Sequence, residues 1–409
     1  MRKFGRVLLS AGLAAAVAWT TACGSGSSAE SAQPAEPVVD LSKLDVGNLP
    51  TQPKVYDKPT AIEMAQLVEA WRLAEYVPLP SEVIPEVKYR AQAMGTVVRA
   101  FQDFTSGAIK SRTKADGTAM NAAAPGLVAG FVSTGKSDSE VSLSYELENL
   151  VMVFKDEQSA SDAAQALGKL DFESGTNEAV RIEKYPAAVA YIENGISGVG
   201  GPLRSWYASG KFVVFTYVYD SVMSAVKKRD LPKLLNRVER SLDVIPPAVA
   251  KFPATPWDKL MELAVDPDKM LGRALPTVTA DSSQPGVPGV YGPHAALHIK
   301  QGEEEIKLFA EAGVDRLGFR GGTVYRARDA AGAAKIVTEH AQTSRQFKAA
   351  ESPTGLPNAK CRKYSGPSIA ISYYCFVQHG RYAAEVSANQ LLDAQQRISA
   401  QYATLVNAG

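Results

Sequence analysis

Residues Gly130, Gly135, Lys136 and Ser137 have the G-x-x-x-x-G-K-S spacing of a phosphate-binding loop. That chemistry needs a buried strand before the loop and a helix after it, whose N-terminal amides face the phosphates. Pro125 and Gly126 interrupt the approach, and the residues from Ser137 to Tyr145 alternate as an edge strand would. The motif therefore reads as a Gly/Ser turn between strands, and no nucleotide is expected. Gly195, Ser197, Gly198, Gly200 and Gly201 form a second glycine-rich run, without the spacing of a nucleophile elbow. All four histidines (His294, His298, His340, His379) fall in the second half, and nothing marks a Ser-His-Asp triad. His294 and His298, four apart, would share a helix face, but no third ligand accompanies them, so they read as a core or surface pair. Asp266-Pro267-Asp268 lacks the glycine and spacing of a calcium loop and reads as a cap before a helix from Lys269 to Leu275. No catalytic residue, metal or cofactor is expected.

Two residue types remain. The chain has 16 Tyr against 13 Phe, and Tyr207, Tyr217, Tyr219, Tyr373, Tyr374 and Tyr382 cluster near strand-like segments. An apolar ring with a polar tip suits a sugar or lipid groove, and equally a sheet face. Tyr207, Tyr217 and Tyr219 are the candidate lining of a ligand site. Of the three cysteines, Cys361 and Cys375 flank a turn at Ser365 to Ser368, and two strands joined there would set them opposite each other as a disulfide.

The third, Cys23, follows an export signal. Arg2, Lys3 and Arg6 precede an uncharged apolar run from Val7 to Trp19, and Thr20-Thr21-Ala22 leads to the cysteine. The run is too short to span a bilayer, and the layout is that of a cleavable signal over residues 1–22. Cys23 stands where a lipobox carries its acylated cysteine, with Thr20 where such boxes usually carry Leu or Val. The small, polar stretch from Gly24 to Pro37 suits a flexible tether, which with an extended lead-in occupies 23–55. Three of the 44 Lys and Arg precede Cys23, leaving 41 against 43 Asp and Glu. A near-neutral chain without a basic face gives no footing for nucleic acid. The expected location is the extracytoplasmic face of the cell membrane, with the membrane as partner through the lipid anchor.

The elements that would position these residues occur twice. A strand at Leu150 to Lys155, a helix at Ser159 to Leu170, strands near Arg181 to Tyr191 and at Lys211 to Tyr219, and a helix from Asp230 make the first unit. Thr323 to Arg326, a helix at Asp329 to Thr338, and a closing helix with Leu391, Ile398, Tyr402 and Leu405 repeat the order. Gly380-Arg381-Tyr382 matches Gly210-Lys211-Phe212, Lys363-Tyr364 matches Lys184-Tyr185, and Arg397-Ile398 matches Arg237-Val238. The unit predicts an α+β fold of two related domains, each an antiparallel sheet with helices packed on one face. Lys211 to Tyr219 is apolar on both alternating faces, whereas its counterpart after Arg381 places Glu385 and Ser387 on one face and reads as half-exposed, so the copies have diverged. A helix from Ile62 to Tyr76, with a capping box at Thr60 and Glu63 and an apolar stripe of Met64, Leu67, Val68, Trp71 and Ala74, precedes the first unit. A proline-rich joint at Pro246 to Pro256 divides the domains, 56–248 and 249–409. A site between them, with an entrance shaped by Gly195 to Gly201 and Thr277 to Gly292, is the expectation for duplicated domains.

The segments Asp45-Val-Gly47-Asn48-Leu-Pro50-Thr51-Gln-Pro53 and Ala74-Glu75-Tyr76-Val77-Pro78 resemble a family of uncharacterised lipoproteins of mycobacteria, Nocardia and Rhodococcus. The resemblance implies a two-part layout over nearly the whole mature chain and carries no activity. The element order is also loosely similar to extracytoplasmic sensor domains of mycobacterial kinases. The reading is a cell-envelope lipoprotein that binds an envelope lipid, glycan or protein partner or serves as a scaffold; the alternative is a hydrolase acting on envelope material.

Overall fold

In the computed structural model, described over residues 38–91, 99–194, 200–276, 288–366 and 371–409, two antiparallel seven-stranded sheets repeat one strand order. The first comprises β1 (Ala100–Phe101), β2 (Leu127–Lys136), β3 (Tyr145–Phe154), β4 (Asn177–Val180), β5 (Val189–Glu193), β6 (Leu203–Ser209) and β7 (Phe212–Asp220), in the order β1-β2-β3-β7-β6-β5-β4. The second comprises β8 (Gly289–Tyr291), β9 (Arg316–Phe319), β10 (Thr323–Arg326), β11 (Phe347–Ala350), β12 (Lys360–Tyr364), β13 (Tyr373–His379) and β14 (Tyr382–Ala388), in the order β8-β9-β10-β14-β13-β12-β11. The signal peptide, Cys23, the tether, 195–199, 277–287 and Pro367-Ser368 lie outside the described residues.

The helices that matter below are α1 (Ile62–Leu73), α2 (Pro80–Val83), α3 (Glu157–Glu173), α4 (Leu231–Val249), α5 (Pro293–Ile299), α6 (Glu303–Ala312), α7 (Ala330–His340) and α8 (Leu391–Asn407). Asp156 and Asp329 begin α3 and α7 in the same way: each carboxylate accepts the backbone N–H three residues on, from Ser159 at 2.7 Å and Gly332 at 2.8 Å. Asp230 caps α4 through the Lys233 N–H, and Leu234, Val238, Leu242, Ile245 and Val249 form its buried stripe. Ala61, not Thr60, is the N-cap of α1, and no side chain caps it, so the capping box expected there does not form.

Helices cover both faces of each sheet, which corrects the one-face expectation. In the first domain α3 packs on the face carrying Met152, Trp206, Val213 and Phe215, while α1 and α4 pack on the face carrying Val151, Phe212, Val214 and Val218. In the second, α8 covers Val324, Val377, Ala384 and Val386, and α7 covers Tyr325, Phe376 and Ala383. β14 is accordingly an inner strand with both faces covered rather than half-exposed. Glu385, on the face opposite Ala384 and Val386, points under α7 into protein, where Lys300 and Tyr325 bond it.

Strand registers fix the repeat residue by residue. The hairpins turn at Gly210 (φ 53°) and Gly380 (φ 52°), pairing Ser209 with Phe212 and His379 with Tyr382. Left-handed backbone at both positions is what requires glycine there. β5 pairs Tyr191 with Arg204 as β12 pairs Arg362 with Tyr374, so Lys363 corresponds to Ile192 rather than to Lys184. Lys184-Tyr185 lies in the turn before β5, whose counterpart is Gly355-Leu356 before β12.

The chain stays helical through Pro246 and Pro247 to Val249, so those prolines sit within α4. The described residues form one compact unit, and a single apolar cluster joins Val68, Trp71, Val151 and Val238 to Ala295, Phe309, Ile336 and Phe376 of the second domain.

Candidate functional site

The two domains meet where α5 docks on the segment that ends α1. The Glu75 carboxylate accepts the N–H groups of His294 (3.2 Å) and Ala295 (2.9 Å), capping α5 from the other domain. His298 places Nε2 2.9 Å from the Val77 carbonyl and its ring 5.1 Å from that of Phe131. Burial pushes its pKa well below the ordinary value, and neighbouring Arg99 adds to this, so the ring is neutral and Nε2 donates. His294 meets Glu82 of α2 at 2.9 Å; burial disfavours its charge, but the Glu82 carboxylate outweighs this and raises its pKa. The two histidines stack edge to face, 5.7 Å apart, as an interface pair.

Beside this junction lies a cleft of about 330 Å³ between the domains. α1 contributes Val68, Trp71 and Arg72, Tyr76 follows it, the connecting segment supplies Phe252, Val265 and Asp268, and the second domain supplies Val290, Gly292 and Arg316. Its aromatic wall is fixed by packing: the Tyr76 and Phe252 rings are 5.4 Å apart, and the Arg72 guanidinium lies 5.5 Å from Phe252. Arg72 is itself held by Glu69, by Thr255 and by the Pro253 carbonyl at 3.2 Å, and Glu69 also accepts the Thr255 N–H at 2.7 Å. This network ties the connecting segment to α1. At the far wall Asp268 bonds Arg316 at 2.6 Å and Arg326 at 3.3 Å. Burial works against the Asp268 charge, but these two guanidinium groups hold its pKa below the ordinary carboxylate range. The indole N–H of Trp71, a residue only 4% exposed, has no hydrogen-bond partner. The cleft thus offers stacking surface, with its charges already paired and the buried, unpartnered indole N–H of Trp71 in its wall.

The tyrosines expected to line a site are not brought together. Tyr207 sits on the α4 face of the first sheet, edge-on to Tyr185 at 5.3 Å. Tyr217 and Tyr219 sit on the opposite face: Tyr217 lies 5.6 Å from the Arg204 guanidinium, and the Tyr219 hydroxyl is 2.9 Å from Ser224 Oγ. None of the three lines the cleft between the domains. Val290 and Gly292, at the end of the expected entrance loop, do line it. Trp71 was legible as part of the α1 stripe. Phe252 and Arg316 had no sequence signal, and Asp268 was marked only as part of a helix cap, because three separate segments converge here.

Gly130, Gly135 and Lys136 of the phosphate-loop letters fall within β2, whose residues are all buried, and Ser137 follows its end. A Cβ on Gly130 would lie 2.1 Å from the Phe101 ring and one on Gly135 2.8 Å from Pro80. Both glycines therefore serve close packing, and the turn follows at 137–140 instead of at the motif itself. Asp266 accepts the N–H groups of Leu271 (3.0 Å) and Gly272 (2.7 Å) at the start of the expected helix, which spans only Met270–Arg273, with Lys269 rather than Asp266 in the N-cap position. Cys361 and Cys375 are paired across β12 and β13, with Cα atoms 4.1 Å apart, and form a disulfide.

Fold and cleft together define a duplicated α+β protein whose copies share a core and enclose a ligand-sized space where they meet. The chain belongs to the family described as Domain of unknown function (DUF7373), its N-terminal model matching residues 56–265 and its C-terminal model 270–408. A search of curated proteins found no match.

Proposed function

We propose that this protein is a cell-envelope lipoprotein, acylated at Cys23, that binds an envelope lipid or glycan in the cleft between its domains. The observation that carries the binding role is the aromatic wall of Trp71, Tyr76 and Phe252 with the unpartnered indole N–H beside it. A volume of about 330 Å³ is in the range of small-ligand sites, and aromatic faces suit sugar rings and acyl segments alike. Titrating the mature protein with lipid and glycan fractions of its host's envelope, followed by tryptophan fluorescence, tests the reading. Trp71→Phe keeps the stacking face and removes the donor, so affinity is expected to fall roughly tenfold. Binding that Trp71→Phe leaves unchanged would move the site elsewhere.

The anchor rests on the export signal, the position of Cys23 and the polar tether behind it. A single acyl chain binds membranes only marginally, and further buried methylenes strengthen the hold. Cys23→Ala is expected to shift the mature protein from the membrane fraction to the medium on cell fractionation; an unchanged membrane fraction would refute acylation at this residue.

A further inference from the structure

The repeat supplies an internal control on one patch of the second domain. Between sheet and helix in the first domain sit Met152, Leu167, Tyr191, Trp206 and Phe215, all fully buried. The registers and caps above place Tyr325, His340, Arg362, Phe376 and Glu385 at the same five positions. The fold therefore closes with apolar and aromatic groups here, and one copy has exchanged them for an acid, a base and a guanidinium.

The exchanged groups are joined. Lys300, just after α5, meets Glu385 at 2.7 Å, and the Tyr325 hydroxyl donates to the same carboxylate at 3.0 Å. His340 turns Nε2 to Glu305 at 3.0 Å and holds Nδ1, buried and without a hydrogen bond, 3.9 Å from Glu385. Buried charge of this kind stabilises a protein less than apolar packing of the same volume. The first domain buries a carboxylate too, Asp171 beside Tyr191, but at these five positions charge occurs in one copy alone, and that exchange calls for a use other than stability.

A cleft of about 560 Å³ opens on this patch, between α6, α7 and β12. His340, nine-tenths buried, forms part of its wall. Glu304 and Glu339 present carboxylates from the two helices, and Arg362 presents its guanidinium from the sheet. Arg362 stacks 4.0 Å from the Phe347 ring and donates to the Gln342 carbonyl at 3.1 Å, while its Nε is buried and unpartnered. Among the described residues no carboxylate lies within ion-pair distance of it. Lys335, by contrast, is spent on Glu311 at 2.5 Å, and Lys307, the other lysine of the lining, lies 3.8 Å from the same residue. The walls thus offer acids on one side and an unsatisfied, prepositioned cation on another. A purely anionic or purely cationic ligand would meet like charge on one wall.

We infer that the α6–α7 cleft is a second ligand site, independent of the one between the domains, and that it takes a small zwitterion of short-peptide size. The ligand's carboxylate pairs with Arg362, and its ammonium pairs with Glu304 and Glu339. Guanidinium bonds a carboxylate as a planar fork, which suits the held plane of Arg362.

Calorimetric titration of the mature protein with trialanine tests this, with N-acetyl-trialanine and trialanine amide as ligands lacking one charge each. Trialanine is expected to bind saturably at millimolar concentration, and each capped peptide roughly tenfold more weakly or worse. Arg362→Gln is expected to abolish the heat. Because Arg362 also packs on Phe347, exposed Glu304→Gln serves as a variant that leaves the fold alone, and it should weaken binding several-fold. Absence of trialanine binding, equal affinity for the capped peptides, or binding indifferent to both substitutions would overturn the proposal.

Discussion

Glu385→Gln is expected to lower the unfolding free energy by about 3 kcal/mol, because it leaves the Lys300 ammonium against a neutral amide in a largely buried setting. The side chains of Lys300 and Glu385 are 22% and 16% exposed, so solvent screens the pair only in part. Burial by itself would raise the Glu385 pKa. The Lys300 ammonium, the His340 ring and the Tyr325 hydroxyl more than offset this and hold it at about 2, against an ordinary value of 4.5. A carboxylate whose folded pKa is depressed contributes its stability fully above the unfolded value and loses it as the pH falls through the folded one. The contribution of Glu385 is therefore present above roughly pH 4.5 and is lost between there and about pH 2, a change of about 3 kcal/mol. Urea unfolding followed by circular dichroism should show wild type and Glu385→Gln far apart at pH 7 and converging across that window. Restoring the first-domain residues with Glu385→Phe and His340→Leu, and removing the partner charge with Lys300→Met, should recover most of the loss at pH 7 while removing the acid step. A constant gap between wild type and Glu385→Gln from pH 7 to pH 2 would show that the ion pair is not its source.

The repeat and the mixed fold were legible because they rest on local signals. Aspartate before a helix, glycine at a two-residue hairpin turn and alternating apolar strands all leave marks within a few residues. The α4 helix and the Phe212–Asp220 strand appear within one residue of their expected starts. What the local pattern misjudged was β14. A polar residue at an alternating strand position ordinarily marks the solvent face, and Glu385 occupies such a position. It is instead buried by α7 and satisfied by Lys300, which lies 85 residues earlier in the chain. No local rule carries a partner that distant.

The two clefts differ in the same respect. The cleft between the domains was expected in kind, since duplicated domains meet and pockets form where they do. Its residues were not, because Tyr207 faces α4 while Tyr217 and Tyr219 face the other side of the sheet. The α6–α7 cleft becomes visible only when the registers equate Phe215 with Glu385 and Leu167 with His340. The mismatch of Lys363-Tyr364 with Lys184-Tyr185 would have hidden it, since a slip of this kind also misassigns Arg362.

Removing the Cys361–Cys375 bridge is expected to reduce the stability of the second domain by about 3 kcal/mol. The cysteines are 14 residues apart, and closing a loop of about 15 residues restricts the unfolded chain by that amount in the chain-entropy account. The first domain shows what the fold does without the link. Ala190 and Ser205 stand opposite each other in β5 and β6 at the corresponding positions, and the sheet keeps the same register. The bond is therefore a stabiliser of the β12–β13 pair rather than the source of its register, and Cys361→Ala with Cys375→Ser should fold to the same structure. Both sulfurs lie under α8, with Cys375 fully buried and Cys361 6% exposed. Native exported protein should accordingly resist alkylation after mild reductant, and the thiols should appear only on unfolding. Non-reducing peptide mapping should recover the two cysteines in one linked fragment, and urea unfolding should give the double variant an earlier transition with the slope of the wild type. Two alkylatable thiols from unreduced, denatured protein would show that the pair is not bonded in the cell. A double variant as stable as wild type would show that the bond forms without constraining the unfolded chain.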